Sequence, residues 1–588
     1  MAFETLLFKE VIIFPELFLG ISLVYLVTHC TFLSMQKSYP LIQHSVLYLG
    51  ILVLFFSCYL IYNECLSVID TSVLNNTIVN DYTSFSAKLI IVTLAIFSLI
   101  MMKPYLINQK INNFEYILLI LFSILGLLLL CSSNDLLTAY LAIELQSLSF
   151  YVLAAFKKNS TFSVDAGVKY FIFGAFASSL FLFGSSLLYG ITGTINFDDF
   201  KIIFMGTFPE KEMEYNNTID IINYFYYLDI ILEKVKYYVY FESPETNIIN
   251  CFYQIDFFNE FFKIFLLGLN NFDLESLISG NFDQSLIFIS SNDFLLLDSN
   301  VFNTTLIKFA LVFILISLFF KLAVAPFHVW SLDVYEGSPS SSTFFFSVVP
   351  KLAIFVLLLR IFYTSFGSFI DNWRYFIVVI VTLSVIIGSF GGLEQKKLKT
   401  LLVYSTISHM GYSLIAFCSG TFESIQILIS YLIIYSFSGL CVWSIFISTK
   451  LKNNYFQKQN KDLTDLVLLG NSNYMLAIFF TVVLFSVAGF PPMIGFLVKM
   501  GIFLSAIESS MFFVALISIL CSVVGTFYYI RLIKILYFEK VLVGKLYYPI
   551  NFQSSVIITV LFFSFIFLFI NPTLLFLFSY KFSILLLN

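Results

Sequence analysis

Charge is scarce in this chain: Asp, Glu, Lys and Arg make up 11% of its 588 residues, against about 25% in an average soluble protein. A water-facing surface for a body of this size is thereby excluded. The 8 cysteines, at 30, 58, 65, 131, 251, 418, 441 and 521, form no Cys-x-x-Cys pair. Only Cys30, beside His29, adjoins a histidine, so no iron–sulfur cluster, zinc site or disulfide framework is indicated. No Gly-x-Gly-x-x-Gly or P-loop pattern occurs, and with it goes any local nucleotide chemistry. The opening "MAFETLLFKEVIIF" has acids among its first residues and no small-residue cleavage site, so no removable presequence is expected.

What is there is oil. Hydrophobic residues account for 59% and aromatics for 19%, with 74 Phe and 35 Tyr, and the mean hydropathy is +0.93. This is the composition of an all-α polytopic membrane protein, and the excess of Phe, Tyr, Leu, Ile and Asn fits an AT-rich coding genome such as an organelle's. A run of ~20 apolar residues crosses a ~30 Å hydrocarbon layer as a helix. On that ruler fourteen spans are expected, near 10–30, 43–62, 86–103, 114–131, 136–156, 165–192, 304–330, 341–364, 373–392, 399–419, 422–449, 474–508, 511–536 and 551–580.

The loops check the count, because Lys and Arg collect on the side from which a chain is inserted. Loops after odd-numbered spans hold Lys37; Lys103 and Lys110; Lys157 and Lys158; Lys396, Lys397 and Lys399; Lys450, Lys452, Lys458 and Lys461; Lys540 and Lys545. Loops after even-numbered spans, "NECLSVIDTSVLNNTIVNDYTS", "CSSND" and "GTFES", hold neither Lys nor Arg. Both termini are therefore expected on the non-cytoplasmic, positive side of an energised membrane. Residues 196–303 do not fit the ruler: 17 acids against 5 lysines give them a net charge of −12, in a chain whose total is −5. Charges spread through apolar pieces such as "IDIINYFYYLDIILEKVKYYVYF" predict surface-packed helices, not a further span.

Most remaining charges read as loop or interface groups whose stems snorkel, Lys88, Lys308, Arg360, Arg531 and Lys534 among them. Five do not. Glu144 lies ~12 Å into its span at 1.5 Å per residue, Lys351 and His409 sit at a similar depth, and Lys321 and Lys499 flank helix breaks. Lys169, in the first turns of span six, is a sixth candidate that snorkelling would also explain. An ion held at mid-membrane costs several kcal/mol unless paired, hydrated or neutralised. The chemistry such groups suit is proton transfer: a buried lysine that gains or loses a carboxylate partner changes its affinity for a proton, and histidine titrates near neutrality. Glu144 with Lys321 is the expected switchable pair, with Lys351 and His409 passing protons onward to Lys499 through water. The plain alternative is permanent pairing that glues helices together.

Proline inside a helix deletes a hydrogen bond and frees a carbonyl, which in lipid must find another donor. Pro326 in span seven and Pro491 and Pro492 in span twelve each interrupt a span carrying a deep lysine. Matching breaks in two halves point to inverted repeats with an ion path between them. The expected units are 1–113 (spans one to three), 114–364 (spans four to eight, interrupted by the 196–303 insertion), 365–540 (spans nine to thirteen) and 541–588 (span fourteen).

Four stretches, "DAGVKYFIFGAFASSLFLFGSSLLYGITGT", "FKLAVAPFHVWSLDVYEGSPSSSTFFFSVVPK", "KKLKTLLVYSTISHMGY" and "VAGFPPMIGFLVKMGIF", make the chain resemble the antiporter-like membrane subunits of the proton-pumping NADH:quinone oxidoreductases. The likeness runs over nearly everything outside 196–303. It implies that Glu144, Lys169, Lys321, Lys351, His409 and Lys499 are the family's intramembrane proton-relay residues, driven by quinone reduction elsewhere in the complex. It implies a translocase subunit with no redox site of its own, the NADH, flavin, iron–sulfur clusters and ubiquinone belonging to other subunits. Lys499, where one paralogue carries glutamate, and the chain's end soon after span fourteen, where another adds a lateral helix, narrow the choice of paralogue. The implied partners are other membrane-arm subunits, accessory subunits at the acidic insertion and membrane lipids, with no nucleic acid, and the implied place is the mitochondrial inner membrane. There the termini and the insertion would face the intermembrane space. The acidic insertion and the serines of "GSPSSSTFFF" depart from the family pattern. The rival readings are a cation/proton antiporter subunit of the multi-subunit bacterial type and a spacer that has lost pumping.

Overall fold

The computed structural model describes residues 13–35, 42–64, 71–109, 111, 113–205, 304–452, 457–459, 462–467, 469–539, 547 and 549–587. The surface helices expected in 206–303, and Lys37, Lys110, Lys461, Lys540 and Lys545, lie outside them. The chain divides into a unit of Met1–Phe204 with Phe302–Asn588 and a unit of Met205–Val301; everything below concerns the first.

Its helices are α1 (Phe14–Met35), α2 (Ile42–Glu64), α3 (Tyr82–Asn108), α4 (Glu115–Ser132), α5 (Leu136–Ala154), α6 (Thr161–Thr192), α7 (Phe197–Met205), α8 (Thr304–Leu322), α9 (Val329–Gly337), α10 (Ser340–Leu359), α11 (Ile370–Gly391), α12 (Leu398–Ser419), α13 (Phe422–Ser448), α14 (Leu469–Ser472), α15 (Tyr474–Ala488), α16 (Ile494–Glu508), α17 (Phe512–Tyr537), α18 (Phe552–Ile570) and α19 (Thr573–Leu587). Two antiparallel hairpins join them, β1 (Thr71–Val73) with β2 (Ile78–Asn80) and β3 (Lys450–Lys452) with β4 (Gln457–Gln459). Among the described residues 13 helices are long and apolar enough to cross a membrane. The expected span twelve is absent from that set because it is two shorter helices, α15 and α16.

Both anticipated breaks are present. Span seven is α8, a non-helical stretch through Pro326, and α9; span twelve is α15, then Gly489 with φ +85°, Pro491 and Pro492, and α16. A positive φ turns the chain out of the helix where only glycine escapes the Cβ clash. Gly495 then lets α16 return close to α15: a Cβ there would lie 1.9 Å from the Ser486 carbonyl oxygen. Span fourteen differs from expectation. It is α18 and α19, parted at Asn571 and Pro572, because Pro572 has no N–H to continue the ladder.

The centre of the body is formed by α10, α12 and α13, whose side chains are buried nearly all round, as a helix surrounded by others must be. α10 ends in a π-type turn, Arg360–Ser365. Pro350 inside α10 frees the Phe346 carbonyl, and the Tyr335 hydroxyl donates to it at 3.4 Å.

Two lysine-or-arginine positions expected to snorkel do not. Lys88 and Glu16 form an ion pair at 2.5 Å with side chains only 1% and 4% exposed, and Arg360 donates to Asp81 Oδ2 and to the Ser133 carbonyl, each at 2.9 Å. Their partners come from other helices and loops, which makes burial affordable where an isolated cation would have to reach water. The insertion also begins later than 196. Phe197, Phe200 and Phe204 of α7 are fully buried, the last two against Phe366, and Asn196 donates to the Asp135 carboxylate at 2.7 Å. In this collar, outside the spans, burial lifts the Asp135 carboxyl above its usual range, the Asn196 amide opposing and the charges of Asp199 and Asp198 adding to the rise.

Candidate functional site

Glu144, Ser147 and Tyr151 stand at i, i+3 and i+7 on α5, so they share one face. That face meets the end of α8. Ser147 Oγ donates to Glu144 Oε2 at 3.3 Å, and Lys321 Nζ donates to the Tyr151 hydroxyl at 3.4 Å. The expected Glu144–Lys321 pair is not in ion-pair contact, the described pairs being Lys88–Glu16, Lys169–Asp333, Arg360–Asp81 and Lys397–Glu336. Glu144 Oε1 is buried without a hydrogen-bond partner among the described residues. Instead, Ser147 and Lys321 line a common cavity of about 20 Å³ together with Trp330, Tyr335 and Pro350. That volume holds about one water. Pro350 immediately precedes Lys351, so the cavity ends one residue from the next lysine.

Lys351 projects from α10 toward α13 and is 3% exposed. Its ammonium donates to the Tyr435 hydroxyl at 2.9 Å and lies 5.1 Å from the centre of that ring. Tyr435 in turn donates to the Ser347 carbonyl at 3.2 Å. His409 also lies against that ring, with ring centres 5.6 Å apart. His409 is held at both nitrogens, Nδ1 to Tyr431 at 2.5 Å and Nε2 to Tyr529 at 3.2 Å. His409, Tyr431, Tyr435, Ser438, Ser486 and Lys499 border a second cavity, also about 20 Å³. Lys499 is 7% exposed and donates to the carbonyls of Val487 and Ala488 at 2.6 and 2.9 Å. These are oxygens at the end of α15 whose helical donors the break removes.

Five of the six sequence candidates thus fall along one line, Glu144 and Lys321 half-buried and Lys351, His409 and Lys499 buried. Lys169 does not. It pairs with Asp333 at the surface of the chain, the two side chains 50% and 53% exposed. Sequence reasoning missed the hydroxyls that join the line, Tyr151, Tyr431, Tyr435 and Tyr529. Tyr431 and Tyr435, one turn apart, carry the spacing that would have shown them on one face of α13, but in a chain with 35 tyrosines that spacing stands out little. Chemically the residues offer amines, an imidazole and phenols, hydrogen-bonded at Lys321–Tyr151, Lys351–Tyr435 and His409–Tyr431, with a carboxylate at one end. Such a line suits moving protons. Among the described residues no group of three or more His, Cys, Asp or Glu is placed to hold a metal.

The family model described as NADH:quinone oxidoreductase/Mrp antiporter, TM, matches residues 133–230 and 277–525. The chain is 32% identical to the NADH-ubiquinone oxidoreductase chain 2 of Marchantia polymorpha, over 97% of this chain and 98% of that one. It is 30% identical to the NADH-quinone oxidoreductase subunit N of Parvibaculum lavamentivorans, over 79% and 75%. Its fold matches a chain of respiratory complex I from Thermus thermophilus, with TM-score 0.65, 21% identity and coverage of 96% and 98%. It also matches a chain of the Mrp complex from Dietzia sp., with TM-score 0.67, 15% identity and coverage of 98% and 97%.

Proposed function

The chain belongs to the NADH:quinone oxidoreductase/Mrp antiporter membrane-subunit family, and from that premise we propose that it is a proton-translocating membrane-arm subunit of an NADH:ubiquinone oxidoreductase. It stands in the place its relatives call chain 2 or subunit N. The observation that carries the reading is the line itself. Lys321, Lys351 and Lys499 are held by hydroxyls and carbonyls with no carboxylate of the described residues in ion-pair contact, which permanent helix-gluing pairs would not leave. Quinone reduction elsewhere in the complex supplies the energy. The residues here take up a proton, hand it along the line and release it, Glu144 tuning Lys321 from across the Ser147 cavity. Lys169, exposed and paired with Asp333, acts at the edge of the subunit.

Spans four to eight and nine to thirteen work as the two inverted units around this line. The membrane is the mitochondrial inner membrane, with both termini and the acidic insertion toward the intermembrane space and accessory subunits docking on the insertion. The chain binds no cofactor of its own. The second reading, a cation/proton antiporter subunit, has the shared fold in its favour, whereas relatives at 30% identity or more over most of the chain are oxidoreductase subunits.

The test is Lys351→Met in the intact complex reconstituted into liposomes. Protons moved per NADH oxidised are expected to fall while the complex still assembles. An assembled variant pumping at the full ratio overturns the relay. A pH gradient driven by Na+ or K+ without NADH favours the antiporter reading instead.

A further inference from the structure

We propose that Tyr435 is the hydroxyl through which the proton crosses from Lys351 to the His409–Lys499 cavity, so that α13, which carries none of the ionisable relay groups, holds the crossing between the two halves of the line. The inference rests on the proposed relay and goes one residue beyond it.

Three observations meet at this side chain. Among the described residues Tyr435 is the one side chain in hydrogen-bond contact with the Lys351 ammonium. Its ring lies against His409, and it borders the cavity that His409, Ser438 and Lys499 share. Among the residues named along the line, Tyr435 touches both the lysine and that cavity. The surroundings exclude a detour through bulk water, since Lys351, His409 and Tyr435 are all buried.

The step balances without any co-reactant. As one N–H bond of the Lys351 ammonium breaks, an O–H bond forms on Tyr435, and the proton Tyr435 already carries leaves for a water in the cavity and from there for the lone pair of a neutral Lys499. Lys351 ends neutral and Lys499 ends protonated, while the phenol begins and ends neutral. For this the Tyr435 hydroxyl, which now donates to the Ser347 carbonyl, turns toward the cavity. That rotation resets the direction of the bond after each transfer and gives the crossing a gate. Tyr431, bonded to His409 Nδ1 one turn earlier on α13, holds the imidazole in place and touches no lysine hydrogen bond, which makes it a positioning residue.

Tyr435→Phe removes the hydroxyl and keeps the ring that packs on Lys351 and His409. In the assembled complex, with pumping normalised to complex content on a native gel, protons moved per NADH are expected to fall about tenfold or more, quinone reduction continuing. Lys351→Met is run beside it. If Lys351→Met loses pumping and Tyr435→Phe keeps it, the crossing is overturned and the relay stands; if Lys351→Met also keeps it, the relay itself fails. Should Tyr435→Phe not accumulate, a density map of the unaltered complex decides: water touching the Tyr435 hydroxyl on its His409 side is expected, and a dry wall there overturns the proposal.

Discussion

At the first break α8 ends at Leu322 with Lys321 in its last turn, and the indole of Trp330 donates to the Phe320 carbonyl at 3.0 Å. At the second, α15 ends at Ala488, and it is Lys499, in the second turn of α16, that donates to the carbonyls of Val487 and Ala488. Both breaks free oxygens in a setting where an unmet one is costly. One meets the need with a neutral ring and the Ala323 N–H, and leaves its lysine to a hydroxyl and a cavity. The other uses the lysine itself. A neutral amine has two N–H bonds and an ammonium three, so Lys499 can hold both carbonyls with or without its extra proton; relay and structural roles are compatible there. The lysines also lie on opposite sides of their prolines, Lys321 before Pro326 and Lys499 after Pro492, so resemblance between the halves does not extend to equivalent side chains.

The strongest way to break this comparison is to remove each lysine in turn. Lys499→Met orphans two buried carbonyls at about 1–3 kcal/mol each, so assembled complex should drop sharply on a native gel together with pumping. Lys321→Met orphans none and should assemble at near-normal amounts while failing to pump. Equal assembly of the two would erase the distinction. A smaller effect is expected from Trp330→Phe, which removes one of two donors to the Phe320 carbonyl, the Ala323 N–H remaining at 3.2 Å, at about 0.5–1.5 kcal/mol, but keeps an aromatic ring against Tyr170, now stacked on the indole at 4.8 Å. The detergent-solubilised complex should melt earlier with its pumping ratio unchanged, and an unaltered melting temperature would show that the indole does not secure the first break. The smallest change should come from Tyr151→Phe. Its bond to Lys321 is long, 3.4 Å, and its loss is expected to cost no more than about 0.5 kcal/mol, with normal assembly and a slowed but persistent proton flux. A complete stop in flux would mean that Lys321 is tied as firmly as Lys499.

Much of this architecture is legible in the sequence. Each of the fourteen expected spans has a helix or a broken pair of helices beneath it, and both lysine-bearing breaks stand where Pro326 and Pro491–Pro492 put them. The mid-depth candidates Glu144, Lys321, Lys351, His409 and Lys499 were visible as charges in apolar runs. The differences have specific causes. Lys88 reads as a snorkelling cation because Glu16, its partner, lies two helices away in the chain. The break at Pro572 is masked by an apolar run that continues on both sides of it. Phe197, Phe200 and Phe204 read as part of the acidic insertion because Asp198 and Asp199 stand among them, although the aromatic spacing marks a buried helix face.

Span number, the scarcity of charge at depth and the sites of helix rupture follow from properties that act within a few residues: apolar length, the cost of an unpaired ion in hydrocarbon and a ring that replaces an N–H. Partnership does not act locally. That Glu144 faces Ser147 and not the Lys321 ammonium, that Tyr435 stands between Lys351 and His409, and that Lys499 closes the broken end of α15 were decided only when the helices packed. A hydrogen bond across a helix interface depends on rotation and offset of both helices to within an ångström, and no periodicity along one strand of sequence carries that information.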